Sequence, residues 1–156
     1  MSISSSSETE AHIFLYAGER TDHSIKLGIR AFAEGFCARG AAFFSVTEIE
    51  NFLSALGSFP LVGEQFISGG YFDDTGNNID SEHFHISVSP LNATGLLAMK
   101  VRAYTPHPEY WKKGFGAGGR CSYFLQYEDL RKFVDKFEHL AGGKSTYFEF
   151  NNFRNI

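Results

Sequence analysis

Hydrophobic and polar positions along this chain twice pass through the same change of period, from alternation to recurrence at three and four. In Phe43-Phe44-Ser45-Val46-Thr47-Glu48-Ile49-Glu50-Asn51-Phe52-Leu53-Ser54-Ala55-Leu56, and again from Phe124 to Phe137, apolar residues fall at i, i+3, i+4 and i+7. That spacing is one face of a helix. A shift of 81 places puts Phe43 on Phe124, Glu48 on Asp129, Ile49 on Leu130, Phe52 on Phe133 and Leu56 on Phe137. Each segment predicts a strand running into an amphipathic helix, whose apolar stripe needs a surface to cover it. Most of the remaining chain reads as strand, so that surface is a sheet.

Strands are predicted at His12–Arg20, around Ile25–Ala31, and from Phe36 to Val46 with a turn or bulge at Arg39-Gly40. The first helix is expected to begin at Thr47, with Thr47 and Glu50 as a capping box, and to stop in a left-handed residue at Gly57. Gln65–Phe72 reads as a strand and Asp73–Asn78 as a turn. Phe84, Ile86 and Val88 then alternate with His83, His85 and Ser87, and Leu97, Met99, Val101 and Ala103 complete a hairpin. Thr105–Gly119 reads as a long loop, Arg120–Tyr127 as a strand and Glu128–Leu140 as the second helix. Glu128 and Lys132 are placed there as an i,i+4 pair, and a short strand at Thr146–Phe150 follows. The fold class is α+β, with antiparallel sheets carrying two helices, built from two strand–helix units. Residues 1–10, Ser-rich and polar, read as a disordered tail, and residues 11–156 as one α+β domain.

The aromatic share of 16%, including 17 Phe, favours bulky sheet–helix packing over a helical bundle. The N-terminus lacks a basic start and an apolar core, and no run of about 18 apolar residues occurs, so the expectation is a cytoplasmic chain without a membrane span. Cys37 and Cys121 both lie in strand-like runs and read as buried free thiols. The net charge of −4 conceals a segregation. No Lys or Arg occurs between Arg39 and Lys100, an interval holding Glu48, Glu50, Glu64, Asp73, Asp74, Asp80 and Glu82. An acidic middle argues against nucleic acid and for a basic protein partner. The same carboxylates also fit a scattered, solvated surface.

Candidate chemistry is sparse. Gly114-Phe115-Gly116-Ala117-Gly118-Gly119 has dinucleotide-fingerprint spacing, but the strand before and helix after that the pyrophosphate requires are missing. Asp73 to Glu82 carries oxygen ligands at short spacing, yet its Gly falls at the wrong place for a calcium loop. His83 and His85 point to one side of a strand, which permits a metal site if a third ligand joins them. Neither cysteine has a neighbouring base, and no Ser sits in a nucleophile elbow. No cofactor follows from any of these patterns. Tyr110, Trp111 and Phe115 are the aromatic interface candidates, because rings carry much of the energy of protein interfaces.

Gly35-Phe36 through Phe43-Phe44, followed by Glu48-Ile49, Phe52 and Leu56, resembles the WapI-type bacterial immunity proteins and related small families. Tyr123-Phe124-Leu125-Gln126-Tyr127-Glu128-Asp129-Leu130, with Phe133 and Phe137, extends the likeness, which covers residues 12–140. The resemblance implies an α+β protein encoded beside a polymorphic toxin and binding it. The Thr105–Gly119 loop departs from that pattern, and no functional residue carries over. The leading expectation is therefore a non-enzymatic binding protein that meets a basic toxin through Glu48, Glu50, Asp73, Asp74, Asp80, Glu82, Tyr110, Trp111 and Phe115. The alternatives are a small metal-dependent enzyme or ligand-binding domain using His83 and His85, and a self-associating structural protein.

Overall fold

Three strands, a helix and a fourth strand occur in that order twice. The structure, a computed structural model, describes residues 11–155; the tail expected at 1–10 lies outside them. The first run is β1 (His12–Arg20), β2 (Ser24–Ala33), β3 (Phe36–Ser45), α1 (Val46–Leu56) and β4 (Gln65–Phe72). The second is β5 (Ile79–Pro90), β6 (Leu97–Pro106), β7 (Gly116–Leu125), α2 (Tyr127–Ala141) and β8 (Tyr147–Phe150). Two four-stranded antiparallel sheets result, in the orders β3-β2-β1-β8 and β4-β5-β6-β7. The fold is thus α+β, as the periodicity predicts. The strand following each helix joins the sheet of the other run: β4 pairs with β5, and β8 with β1.

The sheets cross rather than align. Gly69, Phe84, Ala103 and Gly119 are register partners in one row across β4, β5, β6 and β7. Strand β3 lies along this row: a Cβ on Gly119 would meet Ala38 at 3.8 Å, and one on Gly69 would meet Ala42 at 3.0 Å and the Phe44 ring at 2.8 Å. At Gly40 a Cβ would fall 1.9 Å from the His83 carbonyl oxygen and 2.8 Å from the Tyr104 backbone. Small residues on both sides bring the backbones together at a near-orthogonal crossing. β3 is paired without interruption from Phe36 to Ser45, so the expected break at Arg39-Gly40 is absent. Gly40 is there for close approach, not for a turn.

The two helices pack against each other, α1 also against β4 and β3 and α2 against β8 and β1. Ile49, Phe52, Leu53 and Leu56 of α1, and Leu130, Phe133, Val134, Phe137 and Leu140 of α2, are buried. The Phe133 ring is edge-on to Phe150 at 5.3 Å, Phe137 at 5.8 Å and Phe148 at 5.9 Å, so β8 and α2 share an aromatic core. Helix α1 starts earlier than expected. Ser45, not Thr47, is the N-cap: its Oγ accepts the Glu48 N–H at 3.0 Å, and Glu48 accepts the Ser45 N–H at 3.3 Å. Ser45 wins because Val46 continues the buried stripe, leaving Thr47 and Glu50 on the helix surface. Gly57 ends the helix at φ −77°, right-handed rather than left-handed. In α2, buried Asp129 accepts the Gln126 N–H at 2.9 Å and the Arg154 Nε at 2.8 Å. Arg154 also donates to Glu128 at 2.5 Å, replacing the expected Glu128–Lys132 pair. Arg20 closes the other end of α2, donating to the carbonyls of Leu140 and Ala141 at 2.6 and 3.0 Å.

Two further expectations are corrected. The stretch read as a loop from Thr105 to Gly119 is largely hairpin: Ala103–Pro106 pair with Gly119–Gly116, and only 107–115 lie outside strands, with a 3₁₀ turn at Trp111–Lys113. Those glycines are strand residues because the Tyr104 ring lies over Gly116 and Gly118, where a side chain would collide. Cys121 is buried as expected, whereas Cys37 is exposed on β3. Its alternation places it with Arg39 on the face away from the core.

Candidate functional site

The β4–β5 and β6–β7 hairpins turn at the same end of the second sheet, and a ring contact joins them. Trp111 meets Tyr71 edge-on at 4.6 Å, so the two tips form one surface. Asp73 organises the first tip. One carboxylate oxygen accepts the Thr75 N–H at 3.1 Å and its hydroxyl at 2.6 Å, and the other accepts from Asn78 at 3.1 Å. These donors favour the charged form and lower the Asp73 pKa to about 2. In the second tip His107 Nδ1 accepts the N–H groups of Glu109 and Tyr110, both at 3.1 Å, and Gly114 at φ 87° ends the 3₁₀ turn. The result leaves Tyr110 and Phe115 facing water, with Phe72 and Ile79 beside the acidic turn also exposed. Asp74 and Asp80 are exposed there as well.

Because the folded Asp73 pKa lies below the ordinary 3.8, its contribution to tip order is present above about 3.8 and disappears as pH falls through about 2. A carboxyl carbon NMR titration should therefore find Asp73 inflecting near 2. An Asp73 inflection near 3.8 would contradict the turn geometry.

Of the residues singled out in the sequence, Asp73, Asp74, Asp80, Tyr110, Trp111 and Phe115 come together at this tip. Trp111 is half-buried against Tyr71 and serves as the joint, while Tyr110 and Phe115 point outward. Glu48 and Glu50 belong to α1, and Glu48, in its first turn, is spent on capping. Glu82 is engaged within its own sheet: Arg102 Nε donates to it at 2.9 Å, Ser68 donates to its other oxygen, and His85 Nδ1 lies 3.2 Å away. Phe72 and Ile79 were not singled out from the sequence. Phe72 and Ile79 lie an odd number of places from the core positions Ile67 and Phe84, out of phase with the buried alternation of β4 and β5.

The expected same-side histidine pair is broken by a bulge. Gly69 pairs with Phe84 and Gly70 with Glu82, so His83 is an extra residue on β5 and alternation fails there. His83 contacts Ser81, 3.0 Å from its Nε2, and sits edge-on to Tyr71 at 4.4 Å. His85 instead stacks with Phe66 and joins Glu82 and Arg102. Burial pushes both imidazoles below their ordinary pKa, at His85 against the opposing pull of Glu82. Among the described residues no group of three or more His, Cys, Asp or Glu converges as a metal site. The Ser68 hydroxyl donates to the Glu82 carboxylate, which Arg102 also holds, and not to a histidine. Ser81 does face an imidazole, but no carboxylate among the described residues is hydrogen-bonded to that ring to orient it.

No protein-family model matches this chain, and no curated protein or solved structure matches it. The site therefore has to be read from its own chemistry.

Proposed function

We propose that this chain is a non-enzymatic binding protein that docks a basic protein partner on the paired hairpin tips. In its finer form the partner is a cognate bacterial toxin, neutralised in the cytoplasm. The observation that carries the reading is the Tyr71–Trp111 contact, which fuses two hairpins into one platform with Phe72, Tyr110 and Phe115 exposed beside Asp74 and Asp80. Exposed rings edged by charge are the composition of an interface centre and its rim. The tip residues 71–80 and 107–116 hold Asp73, Asp74, Asp80 and Glu109 against Lys112 and Lys113, a negative balance suited to steering a basic partner. The toxin reading draws on the likeness of the strand–helix segments to immunity proteins. Among the described residues no helix is long and apolar enough to cross a membrane.

Co-expression with the polypeptide encoded beside it tests this. The expected result is a complex that forms in low salt, weakens with added salt and rescues growth. Asp74→Lys with Asp80→Lys should slow association by roughly tenfold or more at low ionic strength. Phe115→Ala should speed dissociation by about tenfold. Absence of a complex in low salt together with no rescue of growth overturns the proposal.

A further inference from the structure

The outer face of the first sheet has the opposite charge. Arg30 and Arg39 are direct cross-strand partners on β2 and β3, an arrangement in which like charges repel. The ion pairs among the described residues use Arg102, Arg154 and His85, and neither Arg30 nor Arg39. Lys26 lies on the same face of β2, its ammonium 5.7 Å from the centre of the Phe43 ring. A repulsive pair left without carboxylates, in a chain of net charge −4, calls for an anion from outside.

Two clefts meet at this arginine pair. The smaller, about 630 Å³, is lined by Tyr16, Phe43, Tyr71 and Tyr104 together with Lys26 and both arginines. The larger, about 1060 Å³, adds Phe32, Phe36, His107 and Phe115 to the same two arginines. No Asp or Glu lines either cleft. Two of the rings lie over glycine backbone. Tyr16 covers Gly28, where a Cβ would come 2.0 Å from the ring, and Tyr104 covers Gly116 and Gly118. Both tyrosines line the smaller cleft. Ala41, the register partner of Gly28, keeps the floor between them shallow.

We propose that this surface binds single-stranded nucleic acid, with a phosphate on the Arg30–Arg39 pair and a base in each flanking aromatic cleft. Guanidinium groups match phosphate oxygens in a bidentate fork, and bases stack on exposed aromatic faces whatever their sequence. Polyglutamate would satisfy the arginines but has no ring to stack on the two tyrosines. The expectation against nucleic acid came from carboxylates summed along the chain. In space, Glu48 and Glu50 are on α1 and Glu82 is paired in the second sheet, while Asp73 begins just past Phe72 at one end of the smaller cleft. The two clefts share Tyr71, Phe72, His107 and Phe115 with the hairpin tips, but the arginine pair itself lies on β2 and β3 and the toxin reading makes no use of it.

Fluorescence anisotropy with labelled oligouridylate and oligothymidylate tests the assignment on the full chain. Affinity is expected to rise with length from two to about eight nucleotides, and to fall with salt at a log–log slope of about −0.7 per neutralised phosphate. Arg30→Gln with Arg39→Gln should weaken binding at least tenfold and flatten that slope. The fold should persist, because the change removes a repulsive pair, and an unchanged melting curve checks this. Ala41→Phe, which raises the floor without touching charge, should weaken binding while leaving the salt slope in place. The proposal is overturned by no saturable binding at about 50 mM salt, or by equal affinity of the double arginine variant. Equal competition by polyglutamate also overturns it, as does binding of free mononucleotides or dinucleotides as tight as that of the longer strands.

Discussion

Gly40→Ala is expected to destabilise the protein by about 3 kcal/mol or more, enough to unfold a marginal domain. The new Cβ would lie 1.9 Å from the His83 carbonyl oxygen and 2.8 Å from two backbone atoms of Tyr104. These are backbone atoms of two paired strands, so no rotamer change relieves the overlap; β3 has to lift off the second sheet. Urea denaturation followed by circular dichroism measures the loss. Gly119→Ala, at the same crossing, adds a Cβ that meets Ala38 only at 3.8 Å, and should change stability by no more than about 0.5 kcal/mol. If the two variants unfold alike, the crossing of the sheets described above is wrong.

Phe133→Ala should cost about 3–5 kcal/mol. Its side chain is fully buried between Phe137 of α2 and Phe148 and Phe150 of β8. Truncation leaves a cavity that those three rings cannot fill without leaving their own edge-to-face contacts. Because β8 is only four residues long and is held by β1 and α2, the expected result includes early loss of hydrogen-exchange protection in Tyr147–Phe150. Phe43→Ala, on the outer face of β3 and half exposed, is the control and should cost under about 1 kcal/mol. A Phe133→Ala variant as stable as the parent would mean that α2 does not lie on β8.

The polar tip belongs to a different class of feature from these core positions. Asp73, Asp74 and Asp80 are recognisable in the sequence as turn residues, and Tyr110, Trp111 and Phe115 as aromatics in a glycine-rich stretch. Their meeting depends on β4–β5 and β6–β7 being hairpins of one sheet, which no local pattern encodes. His83 shows the reverse: alternation places it beside His85, and a bulge whose register is set by β4 takes it away. The third case is the outer face of the first sheet. Lys26, Arg30 and Arg39 are few in number, and the chain-wide charge hides them until β2 and β3 bring them to one surface free of lining carboxylates.

The sequence by itself determined the two helices, the strands that precede them and the face each element buries, because burial periodicity is a local property of 2 or about 3.6 residues. It also contained the capping pair Ser45–Glu48, two positions before the pair expected. The tertiary structure alone decided that β4 and β8 change sheets, that β3 crosses a row of small residues, and where charges collect. These depend on contacts between residues distant in sequence, such as Gly40 with His83 and Ile13 with Phe150. Such pairings are selected by how two twisted sheets and two helices jointly exclude water, and no single segment carries that information.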